Sequence, residues 1–132
     1  MNYIDANVFI FAVLDISPES SSCKDIILKI TEGKMPAATS VLTWDEFVWV
    51  IRKHTNYDLA LEEGNELLQT PNLKFLSADF SIVAEAQHLM KEYNLKPRDA
   101  IHAAAAIKNG IKDFVSNDPD FDKIKEIKRI KI

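Results

Sequence analysis

The sequence alternates short apolar runs with longer segments of helical periodicity, and this alternation most constrains the fold. Apolar residues recur at spacings of three and four over residues 20–32 and 79–93, which is the pattern of amphipathic helices that cover one face of a sheet. Strands that alternate with such helices are typical of a parallel sheet in an α/β fold. We predict five strands, at residues 2–5, 36–39, 73–76, 113–116 and 127–130.

Further helices are predicted between these strands. One begins near Asn7, and others cover residues 40–54, 58–68 and 97–108, the last ended by Asn109 and Gly110 in the manner of a helix C-cap. Residues 40–54 are apolar on nearly all sides, so we expect most of that helix to be buried.

The connection rules for α/β folds limit the strand order. We assume that every crossover is right-handed and that strands 1 to 3 run outward before the chain crosses back. The strand order is then 3-2-1-4-5. Ligands are then expected where strands 1 and 4 end, because the strand order reverses there. A length of 132 residues fits a single domain over residues 1–132.

Composition excludes several classes of protein. Hydrophobic residues make up 47% and charged residues 27%, an ordinary globular balance that excludes disorder and low-complexity assemblies. The longest apolar run is too short for a transmembrane helix, and the single cysteine, Cys23, is expected to be a buried thiol in a cytoplasmic protein. No glycine-rich phosphate loop is present, so nucleotide cofactors are not indicated.

The net charge of −4 leaves a nucleic-acid partner possible, because basic residues concentrate in the last segment. Residues 122–132 hold five basic and two acidic side chains. The basic side chains Lys128, Arg129 and Lys131 either contact phosphates or protect an edge strand from aggregation.

Four acidic residues lie at positions that either a functional role or a purely structural role would explain. Asp5 ends strand 1 and Asp118 follows strand 4, so each is a candidate helix N-cap. Asp99 lies in the first turn of a helix, where the helix dipole favours an acid. Glu46 lies inside an apolar helix, where a carboxylate is costly to bury unless a cation or hydrogen-bond donors meet it.

The coincidence of these acids is more informative than any one of them. Two of the four follow adjacent strands of the predicted sheet, where a cleft is expected. Anions that share a cleft repel one another unless hard divalent cations are present, and oxygen ligands suit Mg²⁺ or Mn²⁺ better than zinc. Such ions can activate a water and stabilise the leaving oxygen in phosphodiester cleavage.

In their order and intervals these residues make the chain resemble the PIN-domain ribonucleases, and among them the VapC-type toxins of toxin–antitoxin pairs. The resemblance covers nearly all of the chain. It is carried by Asp5 with Asn7, by Glu46, by Asp99, and by Ser116, Asp118, Asp120 and Phe121 in the pattern Ser/Thr-x-Asp-x-Asp-Phe.

The resemblance implies a three-layer α/β/α fold and an RNA-cleaving site with Mg²⁺ or Mn²⁺ at Asp5, Glu46, Asp99 and Asp118. It selects Glu46 over its neighbour Asp45 and makes Asn7, where many relatives have Ser or Thr, a supporting hydrogen-bonding group beside Ser116. It also implies a homodimer and a small antitoxin partner.

Other residues keep two interpretations. Asp120 either reaches a metal or supports the start of a helix, and Arg98 is either a phosphate contact or an ordinary exposed arginine. His102 follows Asp99 by three residues but is expected to be a core histidine. The aromatic residues are expected in the core or at a dimer surface: Phe9, Phe11, Trp44, Phe47 and Trp49.

Two other functions use the same residues. A phosphatase would use Asp5 as a covalent nucleophile, although such enzymes usually carry a second Asp where this chain has Asn7. A non-catalytic interaction module would keep the fold and use its acids only as helix caps.

Overall fold

The computed structural model describes residues 1–132 and contains one five-stranded sheet of order β3-β2-β1-β4-β5. All four strand pairs are parallel, which confirms the predicted fold class and strand order. The strands are β1 (Asn2–Ile4), β2 (Ala37–Ser40), β3 (Leu73–Leu76), β4 (Asp113–Val115) and β5 (Lys128–Ile130).

Six α-helices and one 3₁₀ helix connect the strands. They are α1 (Ala6–Leu14), α2 (Ser20–Thr31), α3 (Leu42–His54), α4 (Tyr57–Leu68), α5 (Phe80–Tyr93), α6 (Pro97–Lys108) and the 3₁₀ helix Pro119–Lys123. Each of these helices is too short or too polar to span a membrane.

The sheet separates two apolar cores because neighbouring side chains in a strand point to opposite faces. Tyr3 and Phe114 belong to the core that α5 and α6 cover, whereas Ile4 and Val115 belong to the core that helices α1 to α4 cover. The result is the predicted arrangement of helices, sheet and helices in three layers.

Helix α6 lies close to the sheet because small side chains line it. Ala100 and the run from Ala103 to Ala106 are fully buried, and alanine at these positions lets the helix backbone approach its neighbours. The same core contains an aromatic stack in which the ring centroid of Phe114 lies 4.8 Å from that of Tyr3 and 4.4 Å from that of Phe121. This packing fixes the side chain of Tyr3 in the core, two residues before Asp5 in the chain.

The expectation that most of α3 is buried is wrong. Only Thr43, Phe47 and Ile51 are buried on this helix, at spacings of four that make a single stripe. Trp44 is 40% exposed and Trp49 58% exposed, because α3 packs against α1 and α4 and leaves its remaining surface open. Of the five aromatic residues considered above, Phe9 and Phe47 are in the core, Phe11 is half-buried against it, and both tryptophans are exposed.

A glycine allows α3 and α4 to form a close antiparallel pair. A Cβ atom at Gly64 would lie 2.8 Å from Val48 Cγ2 and 3.1 Å from Trp44 Nε1, so a side chain at this position would push the two helices apart. The indole of Trp44 is thereby held against α4.

Helix caps explain why predicted and observed boundaries differ by one or two residues. Asp5, Asn56 and Asp79 are N-caps whose side chains accept backbone N–H groups. Asp5 therefore lies just beyond strand β1, as the cap interpretation predicted. At the other end of α6, Gly110 has φ +70°, a left-handed conformation that glycine adopts without strain.

Candidate functional site

The carboxyl ends of β1 and β4 meet at the point where the strand order reverses. Asp5 follows β1 and donates its backbone N–H to Val115 O in β4 at 3.0 Å. Ser116 follows β4, and its hydroxyl donates to Asp5 Oδ2 at 2.6 Å. The topology thus brings together two side chains that lie 111 positions apart in the chain.

Ser116 Oγ connects two further groups at this edge. It accepts the backbone N–H of Asp118 at 3.0 Å and the side-chain amide of Asn7 at 3.5 Å. Asp118 caps the 3₁₀ helix, where its Oδ1 accepts the backbone N–H of Asp120 at 2.9 Å. The hydroxyl of Ser116 therefore links the end of β1 to the turn that carries the other acids.

Asn7 leaves one polar atom without a partner. Its Oδ1 is buried and accepts no hydrogen bond, and a buried oxygen in that state is destabilising. Amide oxygens are ordinary ligands for hard cations, so this orphaned atom beside Asp5 and Ser116 fits a site that holds a divalent ion.

A first group of candidate ligand atoms comes from Asp5, Glu46 and His102, whose ligand atoms all lie within 4.8 Å of one another. His102 Nε2 is 3.1 Å from Glu46 Oε1 and 3.9 Å from Asp5 Oδ1. Glu46 rather than Asp45 faces this cleft. Asp45 is exposed and pairs with Arg98 at 3.6 Å.

Behind His102 lies a buried chain of hydrogen bonds. The hydroxyl of Tyr3 is 2.6 Å from His102 Nδ1 and accepts the backbone N–H of Ser40 at 3.1 Å. Since Tyr3 can donate its own proton to Nδ1, the imidazole can keep a proton on Nε2 and donate it to Glu46. Hydrogen bonds at both ring nitrogens therefore fix the orientation of the His102 imidazole.

His102 is buried, as expected of a core histidine, but it also contacts two of the candidate acids. It is therefore a site residue that the sequence interpretation set aside. The available signal was its position one helical turn after Asp99, which places both residues on the same side of α6. His102 also supplies the donor that a carboxylate at Glu46 needs.

Asp99, Asp118 and Asp120 form a second group, in which the candidate ligand atoms again lie within 4.8 Å of one another. Burial and the charges of Asp118 and Asp5 raise the pKa of Asp99 from 3.8 to about 6. Glu46 of the first group and Asp99 of the second line one surface depression, so the two groups belong to one cleft. A cation is the direct way to relieve this repulsion.

The ionisation of Asp5 and His102 reflects the same crowding. Burial raises the pKa of Asp5, while His102 and the hydroxyl of Ser116 oppose that rise. For His102, burial alone lowers the pKa, but the hydrogen bond to Glu46 and the charge of Asp5 raise it above its ordinary value. The charged forms of His102 and Asp5 therefore stabilise one another.

Basic residues lie at the rim of the cleft. Lys96 and Arg98 line a surface depression together with Glu46 and Asp99, and Arg98 is exposed. Its only ion pair is the 3.6 Å contact with Asp45, which leaves it available to a ligand.

Arg129 in the basic tail is already engaged. Its guanidinium forms a bidentate pair with Asp122 at 2.8 and 3.0 Å and donates to the backbone oxygen of Ser116 at 3.2 Å. This side chain braces the 3₁₀ helix against β5, so its role is structural. Lys128 and Lys131 remain exposed.

The PIN domain family matches residues 3–127, whereas no curated protein matches the sequence. Among solved structures, VapBC2 of Rickettsia felis bound to a promoter DNA fragment has a TM-score of 0.77 at 15% identity, covering 99% of this chain and 98% of that one.

Two further structures share the fold. VapC20 of Mycobacterium tuberculosis, a sarcin–ricin loop cleaving toxin, has a TM-score of 0.77 at 15% identity and covers 92% of this chain and 93% of its own. DNA-bound VapBC of Salmonella typhimurium has a TM-score of 0.75 at 18% identity, with coverage of 98% and 96%. At these identities the likeness shows a shared fold.

Proposed function

The chain belongs to the PIN domain family, and from this premise we propose that it is a divalent-metal-dependent endoribonuclease and the toxin of a toxin–antitoxin pair. The observation that carries the proposal is the meeting of two acidic groups in one cleft at the reversal of the strand order. A cleft of this kind repels a phosphodiester unless cations occupy it.

The residues present fit a divalent ion. Asp5, Glu46, Asp99 and Asp118 would hold Mg²⁺ or Mn²⁺ through carboxylate oxygens, and the orphaned oxygen of Asn7 supports the assignment from an uncharged group. Asp120 belongs to the same cluster as Asp99 and Asp118. When bound, such an ion supplies Lewis acidity for phosphodiester hydrolysis.

Hydrogen bonds within the chain would hold the candidate ligands of the cleft in place. Ser116 fixes one oxygen of Asp5 while the backbone N–H of Ala6 holds the other at 2.8 Å. His102 fixes Glu46, and Arg98 at the rim is positioned to bind an RNA phosphate. Preorganised ligands of this kind lose little freedom when an ion and a substrate bind.

Two of the structural neighbours are toxin–antitoxin assemblies bound to DNA, which supports a small antitoxin as the partner of this chain. VapC20 is a toxin that cleaves the sarcin–ricin loop, which supports a nuclease activity for this chain. We include a homodimer in the proposal, as the family resemblance implies.

Cleavage of single-stranded RNA by the purified chain tests this function. We expect cleavage in Mg²⁺ or Mn²⁺, loss of cleavage in EDTA, and loss of cleavage in Asp5→Asn and Asp99→Asn, because each amide removes a charge while nearly preserving shape. Asp113→Asn is the matched control, since Asp113 is exposed at the opposite end of β4.

The outcomes separate the alternatives. Wild-type cleavage rates in both Asp5→Asn and Asp99→Asn would refute the site. Release of phosphate from monoesters without RNA cleavage would instead identify a phosphatase. Absence of any hydrolysis, with a stability loss in Asp5→Ala, would identify a non-catalytic module that uses Asp5 as a helix cap.

A further inference from the structure

An exposed tryptophan lies one helical turn beyond Glu46. Trp49 is 58% exposed, and exposed tryptophans are enriched at surfaces that bind a partner. Arg52 and Lys53 lie next to it, and the three side chains line one shallow depression on α3. An exposed indole beside two cations combines the two chemistries that bind single-stranded nucleic acid.

A second depression, on the acidic cleft, also includes residues of helix α3. Glu46 and Val50 of α3 line the neighbouring depression together with Lys96, Arg98 and Asp99. At a rise of about 1.5 Å per residue, Lys53 lies roughly 10 Å along the helix from Glu46. A strand whose phosphate reaches the acids is therefore close enough to pass over Trp49.

The cations beside Trp49 are free of acidic partners. Neither Arg52 nor Lys53 forms an ion pair with a carboxylate. The guanidinium of Arg52 instead lies 5.3 Å from the ring centroid of Tyr57, a cation–π contact that orients it without neutralising its charge. On a chain of net charge −4, such local cations are what would hold a polyanion beside an acidic cleft.

We propose that Trp49, Arg52 and Lys53 form a binding subsite for single-stranded RNA, in which a base stacks on the Trp49 indole and the two cations bind adjacent phosphates. The subsite extends the cleft at Arg98 and rests on the proposed function. RNA is favoured over a protein occupant because the subsite pairs one exposed ring with two unneutralised cations and lies on the same helix as Glu46 of the acidic cleft.

The second tryptophan provides an internal control. Trp44 is on the same helix, but its indole is held against α4 at Gly64. The variant Trp44→Phe leaves Trp49 as the only indole, and Trp49→Phe leaves Trp44. Intrinsic fluorescence can therefore be assigned to one ring at a time.

The test is titration of each variant with a short single-stranded RNA in EDTA at low salt. We expect RNA to quench the emission of Trp49 in Trp44→Phe and to leave the emission of Trp44 in Trp49→Phe nearly unchanged. Unquenched Trp49 while labelled RNA is bound, as measured by anisotropy, would overturn the subsite.

Affinity measurements on the full chain make the test independent of the fluorescence variants. Trp49→Ala should weaken RNA binding roughly five- to 150-fold, which corresponds to the ~1–3 kcal/mol of one base–aromatic stack. Arg52→Ala and Lys53→Ala should each reduce the salt slope of binding by about 0.7, the value for one phosphate contact on a single strand. Lys91→Ala, an exposed lysine on α5, should change neither quantity.

The two proposals fail separately. RNA that quenches Trp49 but is not cut in Mn²⁺ would overturn the nuclease function and leave the subsite standing. Cleavage in Mn²⁺ at wild-type affinity in Trp49→Ala would overturn the subsite and leave the nuclease. A change in Trp49 emission with protein concentration, unaffected by RNA, would show an interface between copies and overturn the subsite.

Discussion

His102 Nε2 lies 3.1 Å from Glu46 Oε1, and the hydrogen bond between them joins helices α6 and α3 at the base of the cleft. The imidazole is 1% exposed and the carboxylate 16% exposed. A pair this deeply placed is stabilising only while both partners are present, because either group alone would be a buried and unmatched charge.

Removal of the imidazole should therefore be costly. We expect His102→Ala to lower the free energy of unfolding by about 3 kcal/mol, the lower end for a broken buried pair because Glu46 retains some contact with water. His102→Gln keeps a donor and should be less damaging. Urea denaturation of the three proteins measures the difference, and equal losses in the two variants would refute a donor role.

The hydroxyl of Tyr3 can be removed without disturbing its ring. Tyr3→Phe keeps the stack on Phe114 but leaves the N–H of Ser40 and one nitrogen of His102 without a partner, which should cost about 1–3 kcal/mol. Tyr93→Phe is the matched control, since the hydroxyl of Tyr93 bonds Glu126 at an exposed site. A comparable loss in the control would contradict the buried chain.

Divalent ions should raise the melting temperature. An ion that binds only the folded chain stabilises it by about 2.7 kcal/mol at a hundredfold excess over Kd, and we expect a larger shift with Mn²⁺ than with Mg²⁺. Asp99→Asn should reduce the shift at matched ionic strength. If wild type and variant shift equally with Mn²⁺, Asp99 is not a ligand.

The raised pKa of Asp99 has a defined consequence for the metal-free protein. Its folded value of about 6 exceeds the ordinary value of 3.8, so the folded state binds more protons between these values and stability falls as pH rises through this range. In EDTA above pH 6, Asp99→Asn should be more stable than wild type by about 1–2 kcal/mol, a figure reduced for solvent screening. Below pH 4 the difference should vanish, which denaturation curves at both pH values will show.

Asn7 offers a test that leaves the carboxylates unchanged. Asn7→Ala removes the orphaned oxygen together with a long 3.5 Å hydrogen bond, so its effect on metal-free stability should stay within about 0.5 kcal/mol. The same variant should show a smaller Mn²⁺ shift in the melting temperature. An unaltered shift would exclude the amide from the ion site.

Sequence reasoning reached the strand order and the position of Asp5 because these follow from local patterns. Apolar periodicity, cap residues such as Asp79 and the C-terminal pair Asn109 and Gly110 report on neighbours in the chain. Connection rules then leave few topologies. The two acids that follow β1 and β4 were placed near one another by that topology alone.

The surroundings of individual side chains were harder to predict from the sequence. His102 and Glu46 lie 56 positions apart, and only the packing of α6 against α3 shows that one completes the other. The apolar composition of α3 suggested burial, whereas the structure leaves Trp49 exposed because a helix can bury only the stripe that its neighbours cover. The sequence indicated that Arg129 is one of several basic residues of the last segment, whereas the structure pairs it with Asp122.

The division of the cleft between two halves of the chain suggests a split reporter. Asp5 and Glu46 precede the turn at Asn72, whereas Asp99 and Asp118 follow it, so a break there would leave each fragment with half of the acids. The sheet order interleaves the fragments, since β1 and β2 of the first lie between β3 and β4 of the second. Hydrolysis would then return only when the fragments reassemble, which would make it a measure of association between proteins fused to them.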